Sequence, residues 1–300
     1  LGNYLHMKKF LNGPWVLLLP TVIVLACVVF LPLLISLWTS FTPFKLTRPD
    51  TLYKFVGFRN YERLFGNYDF WVAFGRTVLF LTIALNLELV FGLGIALLIN
   101  KITYAQKTLR TLMMFPMMFS PILVGFQWKY IFNDNIGLLN NFLREFGISP
   151  KPWLVDTFLA NMSIMAAEIW SSTSVFAILL LAGLMGIPKD PIEAAKVDGC
   201  NSWQVFKNIT LPFLMPFIFI AMTIRSLDVA RAYDIVQMMT GGGPAKRTEL
   251  LWTLISRTGY VDAKMGLANA MSYISIFLSI AFTFFFFYKL MEARKILSYD

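Results

Sequence analysis

The sequence has 300 residues, 57% of them hydrophobic and only 14% charged. A soluble domain carries about 25% charged residues, so this balance excludes an ordinary soluble fold and points to an integral membrane protein. The formal net charge of +9 then reads as basic loops beside anionic headgroups rather than nucleic-acid binding. Two cysteines, Cys27 and Cys200, make no disulfide framework. A single histidine, His6, makes no metal cluster.

Six windows are long and apolar enough to cross a bilayer, at 15–40, 71–99, 111–132, 158–186, 209–229 and 267–290. The expected fold is therefore an all-α membrane bundle in one domain over 1–300. The first window follows Lys8 and Lys9. It is longer than the apolar core of a secretory signal, and no small-residue cleavage site follows it, so it reads as a retained span. The chain starts at Leu1, which suggests a trimmed N-terminus. Prolines punctuate the spans at Pro20, Pro32, Pro116, Pro121, Pro212 and Pro216, where kinks are expected. Gly92 with Ala96, and Gly183 with Gly186, offer close-approach patches for neighbouring helices.

Between the fourth and fifth windows lies a polar stretch, PKDPIEAAKVDGCNSWQVFKNITLP, over 188–212. Pro191 suits a first helical position and Asp190 can cap it. Gly199 can close the helix in the left-handed conformation. Asn201 or Ser202 can cap a second short helix that runs into the fifth span. The residues predict two short helices joined by a glycine elbow at the membrane surface. An interfacial anchor is one reading of such an element.

The spacing supports a second. Glu193-Ala194-Ala195, then Gly199, then Ile209-x-Leu211-Pro212 resembles the EAA motif of ABC-importer permeases. The resemblance implies a type I permease fold in which 187–208 is a cytoplasmic coupling loop. Glu193, Ala194, Ala195, Gly199, Ile209, Leu211 and Pro212 would then form the contact with an ATP-binding subunit. Basic residues alone do not orient the chain: with the N-terminus inside, 11 fall inside and 15 outside. The resemblance places this loop, and with it both termini, in the cytoplasm of a bacterial inner membrane.

Farther on, RAYDIVQMMTGGGP over 231–244 ends in a Thr-Gly-Gly-Gly-Pro run. With six spans and this length, the chain resembles the TGGGP-bearing half of carbohydrate-uptake permeases of the maltose, lactose and glycerol-3-phosphate type. That implies a second, non-identical permease, two ATP-binding subunits and an extracytoplasmic solute-binding protein as partners. No G-x-x-x-x-G-K-[ST] phosphate loop occurs, and one histidine assembles no catalytic set. The chain is therefore expected to be a permease and not an enzyme, with no cofactor of its own, and with ATP and Mg on the partner subunits.

Ionisable residues inside spans are costly and mark function or internal pairing. Glu88 lies in the second span and Glu168 in the fourth. Glu168, Ser171 and Ser172 share one face at i, i+3 and i+4, as do Arg225 and Asp228 in the fifth. They are candidates for the substrate pathway or for an internal salt bridge. An arginine on the path, with 15 basic against 10 acidic residues in outer segments, raises an acidic sugar such as an alginate oligosaccharide. The competing account is docking of an acidic binding-protein surface. Two other functions fit the composition: an ion-coupled secondary sugar transporter, which would carry inverted repeats, and a non-transport assembly subunit of a membrane complex.

Overall fold

A computed structural model describes residues 14–102 and 104–297. His6, Lys8 and Lys9 lie outside them. Regular structure among the described residues is helical. In chain order the α-helices are α1 (Pro14–Leu25), α2 (Leu31–Ser40), α3 (Arg59–Phe65), α4 (Tyr68–Lys101), α5 (Gln106–Met114), α6 (Pro121–Ile131), α7 (Leu138–Glu145) and α8 (Thr157–Met185). There follow α9 (Lys189–Val197), α10 (Ser202–Val205), α11 (Leu211–Val229), α12 (Asp234–Met239), α13 (Leu251–Ser256) and α14 (Met265–Leu297). Among the described residues five stretches are long and apolar enough to cross a membrane, Leu17–Ser40, Tyr68–Lys101, Thr157–Met185, Ser202–Val229 and Met265–Lys295, and a bent pair of helices, taken as one span, makes six.

The prolines explain where these helices depart from regularity. Widened π turns at Ala26–Phe30 and Phe206–Thr210 each run into a Leu-Pro pair, Leu31-Pro32 and Leu211-Pro212. A proline ring collides with the carbonyl four residues earlier, and a wider turn moves that carbonyl aside without ending the helix. Between α5 and α6 the disruption goes further. The stretch read as a third span over 111–132 is two helical segments, Gln106–Met118 and Pro121–Ile131, meeting at 92°. Pro116 and Pro121 both lack an amide to continue the ladder. Ser120 sits in extended conformation between them and its side chain accepts from the Leu123 amide at 3.4 Å, so it starts a new helix in a new direction.

The chain packs as two compact units. The first combines the described residues up to Asn67 with Ile255–Tyr273. Every residue of its apolar stretch from Leu17 to Ile35 is exposed. Beyond it, Asn60 donates to the carbonyls of Ser40 and Thr42 at 2.8 and 2.7 Å, satisfying acceptors left over where α2 ends. Phe41 packs among Phe55, Phe58 and Tyr61.

The second unit holds Tyr68–Leu254 and the residues from Ile274 onward. The α4 and α8 helices pack along one another, and α11 lies against both. The buried face of α4 carries Leu81, Ala84, Leu85, Glu88, Gly92, Ala96 and Ile99, a helical stripe interrupted by one carboxylate. Glycine permits two close approaches between these helices. A side chain at Gly92 would collide with Phe176 of α8, and one at Gly183 would come within 2.9 Å of Phe217 and Leu214 of α11. Gly186 plays no such part: it caps the end of α8, its amide bonded to the Gly183 carbonyl at 3.1 Å.

Candidate functional site

Three long helices of the second unit each bring one charged side chain to a common point. Glu88 of α4 is wholly buried, and Glu168 of α8 and Arg225 of α11 nearly so. Arg225 donates from Nε and Nη2 to the two Glu88 oxygens at 3.0 and 3.1 Å. Nη2 also reaches Glu168 at 2.8 Å, and Nη1 reaches Asp228 at 3.4 Å. The guanidinium is thus surrounded by three carboxylates, the fork geometry that arginine suits. The sequence predicts the Arg225–Asp228 neighbourhood. It does not predict that Glu88, 137 residues away, is the bidentate partner. Glu88 and Glu168 interrupt otherwise apolar spans, and Arg225 is the cation that can answer them; that charge balance was the available signal.

The cluster forms one wall of a cavity of about 610 Å³, lined by Glu168, Ser171, Ser172, Arg225 and Asp228. All five pathway candidates therefore meet at one place. Four further residues complete the polar and aromatic lining: Arg231, Tyr233, Asp234 and Trp252. Arg231 bonds Asp228 at 3.4 Å. The Trp252 indole Nε1 is buried and makes no hydrogen bond. These four lie in loops and short helices after the fifth span, where sequence periodicity carries no signal. The volume falls within the range of about 300–1,000 Å³ usual for small-molecule sites.

Arg225 has all three nitrogens engaged by carboxylates, so it offers no unpaired cation to the cavity.

The glycine run closes a tight loop near this wall. Gly241 and Gly242 both have positive φ, at 61° and 85°, which favours glycine. Thr240 and Thr248 join their hydroxyls at 2.8 Å across the loop, and Thr248 donates to the Gly243 carbonyl at 2.5 Å.

The polar loop forms the two short helices and elbow expected of it. Glu193, Ala194 and Ala195 lie on α9, and Glu193 and Ala194 are exposed. The start of α9 differs from expectation. It begins at Lys189 with Pro188 at the cap position and no side-chain cap, so Asp190 sits in the first turn, where its charge favours the helix dipole. Gly199 has φ +83°. Its amide bonds the Lys196 carbonyl at 3.1 Å and the Cys200 amide bonds Ala195 at 2.9 Å, the paired closure of a Schellman motif. Asn201 then opens α10 with a capping box: its carboxamide accepts from the Gln204 amide at 2.9 Å and Gln204 answers at 2.8 Å. Ile209 lies in the π turn, and Leu211 and Pro212 begin α11. The loop keeps two apolar residues in the open, Val197 at 88% and Trp203 at 66% exposure.

A bundle of long apolar helices around a polar cavity, with an exposed helical loop joined rigidly to a cavity-lining helix, defines a multi-pass membrane transport component. Residues 88–297 match the model of the binding-protein-dependent transport system inner membrane component family, and the chain belongs to that family. A probable ABC transporter permease protein of Sinorhizobium fredii is 33% identical, over 86% of this chain and 83% of its own. The trehalose/maltose transport system permease protein MalF of Thermococcus litoralis is 33% identical over 90% of both chains. The sulfoquinovosyl glycerol transport system permease protein SmoG of Agrobacterium fabrum is 32% identical, over 89% and 86%. In the crystal structure of a bacterial ABC transporter that imports the acidic polysaccharide alginate, one chain superposes with a TM-score of 0.82 at 23% identity, over 97% of this chain and 99% of that one. That likeness fixes the type I ABC-importer permease fold.

Proposed function

We propose that this chain is the transmembrane permease subunit of an ATP-driven, binding-protein-dependent importer of an oligosaccharide or related sugar. The observation that carries this reading is the likeness, across nine-tenths of both chains, to a trehalose/maltose permease. A structural neighbour crystallised with an alginate-pentasaccharide-bound periplasmic protein adds support for a solute-binding partner. The polar cavity supports it too, because a sugar crossing a bilayer needs a continuous exchange of hydrogen-bond partners.

In this reading the loop over 187–208 faces the cytoplasm, as do both termini, in a bacterial inner membrane. Glu193, Ala194, Ala195 and Gly199 present α9 to an ATP-binding subunit, with Ile209, Leu211 and Pro212 joining that contact to α11. Exposed Val197 and Trp203 suit burial against such a partner. Closure of two ATP-binding subunits moves α9 as a rigid body, and α11 carries the motion to the cavity wall. A second, non-identical permease and an extracytoplasmic solute-binding protein complete the assembly. ATP and Mg are held by the partner subunits, and this chain hydrolyses nothing.

Affinity purification of the chain from its native membrane, with mass spectrometry of what accompanies it, tests the reading. An ATP-binding protein and a second permease are expected to co-purify. The variant Glu193→Lys is expected to stay folded and lose the co-purifying ATPase activity. A chain that emerges alone, with the variant unchanged, would overturn it.

A further inference from the structure

We propose that the cavity sorts substrates by charge, admitting neutral polyhydroxy sugars and repelling carboxylated or sulfonated ones, with Asp228 and Asp234 as specificity-determining residues. This rests on the sugar-importer reading. The relatives do not decide the matter, since their names span trehalose and maltose on one side and sulfoquinovosyl glycerol, a sulfonated sugar, on the other.

An arginine beside a cavity ordinarily suggests an anion site. Here the charges around it reverse the sign. The lining holds Glu168, Asp228 and Asp234 against Arg225 and Arg231, and Glu88 stands directly behind Arg225 at 3.0 Å. Three carboxylates against two guanidiniums give the lining a formal charge of −1. Both arginines are engaged by Asp228, one at each carboxylate oxygen, Oδ2 to Arg225 and Oδ1 to Arg231, each at 3.4 Å. An incoming anion could pair with Arg225 only by displacing a carboxylate. If it displaced Glu88 or Glu168, it would leave a buried charge without a counterion, which is strongly unfavourable. Like charges lining a cleft repel from the whole wall, not from one contact.

A neutral sugar meets none of this. Its hydroxyls can donate to Asp228 and Asp234, bonds strengthened by the carboxylate charge. Tyr233 and Trp252 add ring faces for the apolar side of a pyranose.

The test uses the assembled transporter in nanodiscs without its binding protein, so that any selectivity belongs to the membrane subunits. Saturation-transfer NMR titrations compare trehalose and maltotriose with an alginate trisaccharide. The neutral sugars are expected to bind and the uronate to bind at least about tenfold more weakly, the scale of one unit charge acting across about 12 Å at an effective dielectric near 20. Asp234→Asn and Asp228→Asn are each expected to narrow that gap by about as much. Asp234 is the cleaner variant, since Asp228 also holds both arginines. Equal or tighter uronate binding by the wild type, or a gap unmoved by both variants, would overturn the inference and leave the importer reading standing. The complete system in liposomes separates the two. Accumulation of sugars that never bind the nanodisc complex would remove the cavity as their site. Failure to accumulate any saccharide would remove the importer reading, and this inference with it.

Discussion

Arg225 shows how one residue organises its surroundings. A lone arginine in an apolar helix is among the most costly side chains to bury, yet three carboxylates within 3.4 Å answer it. Breaking such a cluster from one side costs about 3–5 kcal/mol, because the remaining charges stay buried unpaired, whereas replacing all members with neutral groups is often tolerated. Arg225→Met is therefore expected to lower the thermal midpoint of the detergent-purified protein sharply. The triple variant Arg225→Met, Glu88→Gln, Glu168→Gln is expected to recover much of the loss, and a thermal-shift series reads both. Glycine positions give a second contrast. Gly92→Val would drive a branched side chain into Phe176 and is expected to abolish folded yield in size-exclusion chromatography. Gly94, one turn-step away, faces open space, and Gly94→Ala is expected to cost nothing measurable, since alanine also favours the helix by about 1 kcal/mol.

Among the elements, the α9–elbow–α10 loop was the most legible in sequence because its signals are local. Gly199 at positive φ and the Asn201–Gln204 box are decided by residues three or four apart, and they form as expected. The start of α9 was less legible: Pro191 suits a first helical position, but the helix starts earlier, at Lys189, with Pro188 at the cap and Pro191 inside the first turn. A β-branched residue at Gly199 must adopt a left-handed backbone at about 1–2 kcal/mol or swing α9 away from α10. Gly199→Val is expected to leave the helical content of the protein intact by circular dichroism while reducing ATPase stimulation in the reconstituted assembly. Unchanged stimulation would show that the elbow does not transmit motion. The break between α5 and α6 was half legible. Pro116 and Pro121 announced a kink, but a 92° turn depends on which neighbours receive each segment, and that is a tertiary matter.

At the scale of the whole molecule, every described residue from Leu17 to Ile35 is exposed, so lipid or partner helices must cover this apolar stretch. The topology has a direct test in the chain's own cysteines. Cys27 is exposed on an apolar segment and Cys200 is half-buried in the elbow. A membrane-impermeant maleimide is expected to label Cys200 in inside-out vesicles and not in intact cells, and to label Cys27 in neither. Labelling of Cys200 from outside would invert the proposed orientation.

What the sequence by itself determined are the features written in neighbouring residues: long apolar runs, proline interruptions, the glycine elbow and its caps, and a motif whose spacing resembles that of ABC-importer permeases. Apolar length and local backbone preference act over a few turns, so they survive without knowledge of the fold. Only the tertiary structure decided that Glu88 and Glu168 both turn toward Arg225, that Trp252 and Asp234 join the serines at one cavity, and that Gly183 packs while Gly186 merely caps. Those outcomes depend on helix rotation and on contacts between residues up to 137 positions apart. A charge in a span announces that it needs a partner, and only packing reveals which one, and therefore which sign the cavity presents.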